Sequence, residues 1–97
     1  MTSRRRYLIT YDIGDNGRRG KVFDICHQEG DHTQYSVFVA DLSARELVAL
    51  QAAIEPLINR DEDQVLIADL GPTESGAGRV IASIGRPYEP PVRALVV

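Results

Sequence analysis

Cysteine, methionine and tryptophan are almost missing from this chain: one Cys, one Met and no Trp in 97 residues, with aromatic side chains at only 6%. Each shortage excludes something. The lone Cys26 leaves no intrachain disulfide, and no Cys/His spacing resembles a zinc ligand set. No apolar run approaches the ~20 residues that a bilayer-spanning helix needs. The opening Met1-Thr2-Ser3-Arg4-Arg5-Arg6 is basic, but no apolar segment of signal-peptide length follows it. A cytoplasmic protein without a membrane partner is the expectation.

What is present suits one globular domain over residues 1–97, since 43% of residues are apolar and 26% charged. A chain this short buries roughly 60–65% of its unfolded surface, so its core is modest and association would help it. The net charge of −3 argues mildly against nucleic-acid binding, but the charges are unevenly spread. Residues 1–21 hold six basic groups against Asp12 and Asp15, a local balance of +4, and the remaining residues carry five basic and twelve acidic groups. Affinity for phosphates depends on such a local patch more than on the total. The plainer reading is that these arginines are solvated surface.

The stretch Arg6-Tyr7-Leu8-Ile9-Thr10-Tyr11-Asp12-Ile13 organises the rest. Its β-branched and aromatic run predicts a central strand over residues 5–12 that ends on a carboxylate. Tyr7, Ile9 and Tyr11 then share one face and Leu8, Thr10 and Asp12 the other. Asp15 is placed to cap a helix, with Val22, Phe23, Ile25 and Cys26 as its apolar stripe and Gly30 as its stop. Arg18 and Arg19 fall in its first turn, near the strand tip. Residues 32–42 turn extended again, as one long strand or as two short ones hinged near Gln34-Tyr35-Ser36. Ser43-Ala44-Arg45-Glu46 reads as a capping box for a second helix. Its apolar side is Leu47, Leu50, Ile54, Leu57 and Ile58, and Pro56 should loosen its last turn.

Asp61-Glu62-Asp63 reads as a solvated acidic turn, followed by a strand over residues 64–70 that Gly71-Pro72 breaks. Another strand is expected over 79–84. Residues 85–97 read as a Pro-rich connector and an apolar C-terminal strand over 92–97, one that should pair with something, a sheet edge of another chain being one choice. This order predicts an α+β, ferredoxin-like fold: an antiparallel sheet with two helices on one face, plus extra C-terminal strands. Both faces of the first strand are largely apolar, so a homodimer through the open face is expected.

Several segments also resemble a known family. Tyr7-Leu8-Ile9-Thr10-Tyr11-Asp12-Ile13, Arg18-Arg19 with Lys21-Val22-Phe23, Gln34-Tyr35-Ser36-Val37-Phe38, Asp41-Leu42-Ser43, Leu70-Gly71-Pro72 and Gly85-Arg86-Pro87 succeed one another as in the second universal CRISPR-associated protein family. The resemblance implies a ferredoxin-like homodimer that acts in spacer acquisition and binds the CRISPR integrase and double-stranded DNA. It also implies magnesium-dependent nuclease activity on single-stranded RNA or double-stranded DNA, with Asp12 as catalytic and metal-binding residue and Mg²⁺ (or Mn²⁺) as cofactor. One carboxylate holds such an ion poorly, whereas two facing copies would suffice.

Arg18, Arg19 and Lys21 are the candidate nucleic-acid contacts, the arginines because their fork of donors suits phosphate oxygens. Ser36 and Phe38 match the family motif without a settled role; the serine has no evident base and the phenylalanine reads as core. His27 and His32 read as surface groups, and Asp15 as a helix cap. Many relatives carry an acid where this chain has Val39, which weakens a metal site here. The alternatives are a stand-alone toxin-like ribonuclease and a DNA-binding adaptor without catalysis.

Overall fold

A computed structural model describes residues 3–75 and 81–88. At its centre is β1 (Arg5–Asp12), flanked on one side by β3 (Val37–Leu42) and on the other by β4 (Gln64–Pro72), with β2 (Asp31–Gln34) outside β3. All pairings are antiparallel. Helices α1 (Asn16–Glu29) and α2 (Ala44–Ile54) both cover one face. The architecture is therefore the expected ferredoxin-like sheet with two helices on one side.

The alternation along β1 decides which side is the core. Tyr7, Ile9 and Tyr11 are buried with Phe38, Ala40 and Leu42 of β3, and meet Val22 and Cys26 of α1 and Leu50 and Ile54 of α2. Burial pushes the Cys26 thiol up to about 11. Arg6, Leu8, Thr10 and Asp12 point to the second face, where the register sets Arg6 opposite Asp41 and Leu8 opposite Val39 and Ala68.

Local chemistry sets the element ends. The Asp15 carboxylate accepts from the Arg18 backbone N–H at 2.8 Å and caps α1. Gly30 ends α1 in extended backbone that any residue adopts, but a β-carbon there would lie 2.7 Å from the Val39 carbonyl oxygen. Glycine is required by packing rather than conformation. Ser43 and Glu46 form the full capping box of α2, with Glu46 N–H donating to Ser43 Oγ at 3.2 Å and Ser43 N–H to Glu46 Oε1 at 2.9 Å. The Ser43 backbone donor, and then Arg4, hold the Glu46 carboxyl below its ordinary value. The helix loosens around Pro56 as expected, but earlier than the apolar pattern to Ile58 implies: α2 stops at Ile54 and a 3₁₀ turn takes over at Glu55–Leu57.

The extended region after α1 is two strands, hinged at Tyr35-Ser36. Three expectations are corrected. The expected break at Gly71-Pro72 is strand throughout: β4 continues through Pro72, which faces Arg5 across a register shift. An edge strand tolerates a residue without N–H, and Gly71 at φ 102° absorbs the irregularity. The Asp61–Asp63 turn is not wholly solvated, because the Asp63 side chain is fully enclosed. Of the strand expected over 79–84, residues 81–84 are irregular. Residues 79–80 and the C-terminal strand over 92–97 lie outside the described residues.

Candidate metal and nucleic-acid site at the tip of the first strand

Asp12 closes β1 opposite Gln64, the first residue of β4, and its side chain is exposed. No hydrogen bond or ion pair to its carboxylate occurs among the described residues. An exposed anion without a partner at the end of a central strand is available to a ligand. Among the described residues, no group of three or more His, Cys, Asp or Glu side chains could hold a metal. Among the described residues, one chain thus offers Asp12 no complete ligand set. The Asp12 carboxylate fits Mg²⁺ or Mn²⁺ only where a second copy or a substrate phosphate completes the shell, consistent with how Mg²⁺ is usually bound.

The three candidate cations differ sharply. Arg18 donates through Nε to Asp63 Oδ2 at 2.7 Å and through Nη2 to Asp63 Oδ1 at 3.1 Å and Glu62 Oε1 at 3.2 Å. Asp63 also accepts from the Asn59 backbone N–H at 2.8 Å. The Arg18 bonds, and then the Asn59 donor, hold the Asp63 carboxyl below its ordinary value. Arg18 therefore ties the first turn of α1 to the start of β4, and its charge is largely matched. Arg19 has no carboxylate partner among the described residues. Its Nη1 donates to the carbonyls of Ile13 at 3.0 Å and Gly14 at 3.4 Å, and its Nη2 to Asn16 Oδ1. It thus straps the loop that follows Asp12. Lys21 is exposed.

Ser36 is half-buried in the β2–β3 turn, and its carbonyl accepts from the Tyr11 N–H at 3.2 Å. That bond fastens the turn beside the β1 tip. Phe38 is fully buried and centres an aromatic cluster, with Phe23 at 5.4 Å, His32 at 4.9 Å and Tyr11 at 6.2 Å between ring centroids. Its role is packing. His27 stacks on Phe23 at 5.5 Å, while the Nε2 of His32 lies 2.6 Å from the Tyr35 carbonyl oxygen. His32 is therefore more than a surface group: it joins the turn to the aromatic cluster.

The second face of the sheet has two halves. Near its β3 side, Arg6 and Asp41 form a buried pair, Nε to Oδ1 at 2.5 Å and Nη2 to Oδ2 at 2.8 Å, with side chains 8% and 5% exposed. Val39 is buried beside them. The Tyr88 side chain lies within electrostatic reach of Arg6, Asp41 and Asp31 on this half. Burial pushes the Tyr88 phenol up. Toward β4 the same face is open: Leu66 is 55% exposed, Leu8 and Thr10 are half-buried, and Ala68 and Asp12 are exposed.

Sequence reasoning missed Asp63, Asp41 and Tyr35. Asp63 read as solvated and Asp41 carried no assigned partner, because their arginines lie 45 and 35 residues away in the chain. Tyr35 is 92% exposed, a sign visible only once the turn is placed.

A four-stranded antiparallel sheet under two helices, with a lone carboxylate at the tip of its central strand, defines a small ferredoxin-like protein with its polar site at a strand end. Comparison with known proteins then specifies the family. Residues 5–76 match the family described as CRISPR associated protein Cas2, and the chain belongs to that family. It is 37% identical over 91 residues to the CRISPR-associated endoribonuclease Cas2 of Geobacter sulfurreducens, covering 94% of this chain and 95% of that one. A CRISPR-associated endoribonuclease Cas2 of Rhodospirillum rubrum is 36% identical over 83 residues, or 86% and 80% of the two chains. The crystal structure of the hypothetical protein TT1823 from Thermus thermophilus superposes with a TM-score of 0.67 at 32% identity, covering 68% of this chain and 80% of that one. The Cas2 of Streptococcus pyogenes shares the fold at 24% identity, with a TM-score of 0.73 over 82% and 99% of the chains.

Proposed function

We propose that this chain is a homodimeric CRISPR adaptation protein that binds double-stranded DNA and the integrase during spacer acquisition. We further propose that it carries a metal-dependent endonuclease site built on Asp12. The observation that carries the nuclease reading is the exposed Asp12 carboxylate, without a partner among the described residues, at the tip of the central strand. The names of the relatives, CRISPR-associated endoribonucleases, support RNA as a substrate. A divalent ion there would neutralise charge on a phosphodiester and help ionise an attacking water.

The open half of the second face supports the dimer. Leu66 and Ala68 lie exposed in a row with Leu8, Thr10 and Asp12, so a second copy laid against this face would cover apolar surface and bring two Asp12 carboxylates toward each other. For nucleic acid, Arg19 and Lys21 keep charge unmatched by carboxylates among the described residues, whereas Arg18 is engaged by Asp63. Arg19, bonded to the two residues after Asp12, suits a phosphate backbone crossing the strand tip.

Asp12→Asn tests the reading, since it keeps the shape of the side chain and removes its charge. Cutting of single-stranded RNA or duplex DNA in Mg²⁺ or Mn²⁺ should vanish in this variant while sedimentation still shows a dimer. Cutting that persists in a purified Asp12→Asn sample would refute the assigned site, and a wild-type protein that sediments only as monomer at micromolar concentration would refute the pairing.

A further inference from the structure

Beside the β1 tip, on the helix side of the sheet, a cleft of about 420 Å³ opens between the first half of α1 and the β2–β3 turn. The range usual for small-ligand sites is about 300–1,000 Å³. Its walls include Tyr11, Arg19, Phe23, His32, Tyr35 and Ser36. Four of these six are rings. Phe23 and His32 are locked edge to face at 5.1 Å, and His32 is held again by stacking on Phe38 and by the 2.6 Å approach of Nε2 to the Tyr35 carbonyl. Tyr35 stands apart from that cluster, at 92% exposure. A large ring held out in water at the lip of an aromatic cleft has no packing role in the chain itself.

The polar side chains around the cleft include Arg19, Asn16 and the hydroxyls of Tyr11 and Ser36. Arg19 uses Nη1 and one donor of Nη2 on the loop and on Asn16, which leaves Nε and a further Nη2 hydrogen without a partner among the described residues. The hydroxyls of Tyr11 and Ser36 add donors and acceptors. Among the described residues, no carboxylate lines it. Rings for stacking, a guanidinium and neutral hydroxyls, with no opposing acid, match a nucleobase with its attached phosphate. The cleft is also well placed: Tyr11 precedes Asp12 in β1, and Arg19 bonds the carbonyls of the two residues after it.

We propose that this cleft is a nucleotide subsite that receives one unpaired base of a single-stranded nucleic acid, stacked on Tyr35 and His32, with its phosphate at Arg19. The subsite deepens the nuclease reading, on which it rests for its purpose, by selecting a single strand at the Asp12 tip. A duplex keeps its bases stacked inside and cannot fill the cleft, so single and double strands would engage different parts of the protein.

Binding measured without divalent metal separates this from catalysis. Fluorescence anisotropy with a labelled oligouridylate, and with an oligothymidylate of equal length, is the assay. Tyr35→Ala should weaken binding about 5- to 30-fold, the scale of losing one stacked ring, and Tyr35→Leu should do the same. Tyr35→Phe should bind like the wild type, and duplex DNA should bind all four proteins alike. The exposure of Tyr35 makes these variants structurally mild, which circular dichroism checks. If only the oligouridylate responds to Tyr35, the subsite prefers RNA; equal responses mean that it reads base and phosphate alone. Unchanged affinity of both oligomers for Tyr35→Ala would overturn the subsite, even if Asp12→Asn abolishes cutting. Conversely, Tyr35-dependent binding by a protein that never cuts would leave the subsite standing and refute the nuclease reading.

Discussion

The two ends of β1 carry opposite charge and meet opposite fates. At the N-terminal end, three consecutive arginines each find a carboxylate: Arg4 with Glu46 at 2.6 Å, Arg5 with Asp69 at 2.8 Å and Arg6 with Asp41 at 2.5 Å. At the C-terminal end Asp12 finds none among the described residues, and the nearby Arg19 turns to backbone carbonyls. The difference teaches where charge is structural and where it is available. A basic run that reads as a phosphate-binding patch is neutralised in the fold by acids from three distant segments. The polar site lies at the end where the pairing stops.

Removing a carboxylate from each end should give the widest contrast. Asp41→Ala leaves Arg6 buried without its partner, and breaking a buried pair in this way costs about 3–5 kcal/mol. Asp12→Ala removes an exposed group with no bond and should stay within about 0.5 kcal/mol of the wild type. Urea unfolding measures both. Equal losses would mean that Asp12 has a structural partner, and would weaken its assignment as a ligand site.

How much of this was legible beforehand follows the range of each interaction. The alternation of Tyr7, Ile9 and Tyr11, the caps at Asp15 and Ser43 and the loosening at Pro56 are local, and each appears where the residues imply it. Asp12 at the strand tip follows from the same alternation. The Arg18–Asp63 bond was hidden because an acidic triplet carries no sign that one member turns inward. The Tyr35 cleft was hidden because it needs both the α1 packing and the β2–β3 turn, and the extended region could equally be read as one strand. The resemblance to a family located Ser36 and Phe38 but not their work, which is to hold the turn and fill the core.

Next in size is the response to acid. Asp63, Glu46 and Asp69 are held below their ordinary values, by Arg18, by the Ser43 backbone donor and by Arg5 respectively as the leading causes. A depressed folded value contributes stability above the unfolded value, about 3.9–4.3 for these acids. That contribution is lost as pH falls through the folded values. Stability should therefore be level from neutral pH to about 5 and decline below it. Asp63→Asn should flatten that decline; an unchanged acid limb would place the responsible acids elsewhere.

Salt titration of duplex binding separates the cations of the first helix. If Lys21 contacts a phosphate, Lys21→Ala should lower the slope of log affinity against log salt by about 1. Arg18→Ala should leave that slope unchanged, because Asp63 already occupies the guanidinium, and should instead lower the unfolding midpoint. The opposite pattern would move the DNA contact to Arg18 and require its bond to Asp63 to open on binding.

The smallest effect belongs to Arg5, one residue from the buried pair. Its bond to Asp69 spans both carboxylate oxygens, which share the one Nε donor at 2.8 and 3.1 Å. Yet its side chain is 47% exposed and that of Asp69 46%, against 8% and 5% for Arg6 and Asp41. Water and salt screen the first pair and barely reach the second. A double-mutant cycle on Arg5 and Asp69 should therefore give a coupling close to zero, and none at 1 M salt, where the Debye length falls to about 3 Å. The cycle on Arg6 and Asp41 should keep its coupling at the same salt. A salt-resistant coupling at Arg5 would show that the arginine run is held by geometry rather than burial, and the contrast between the two ends of β1 would then need another cause.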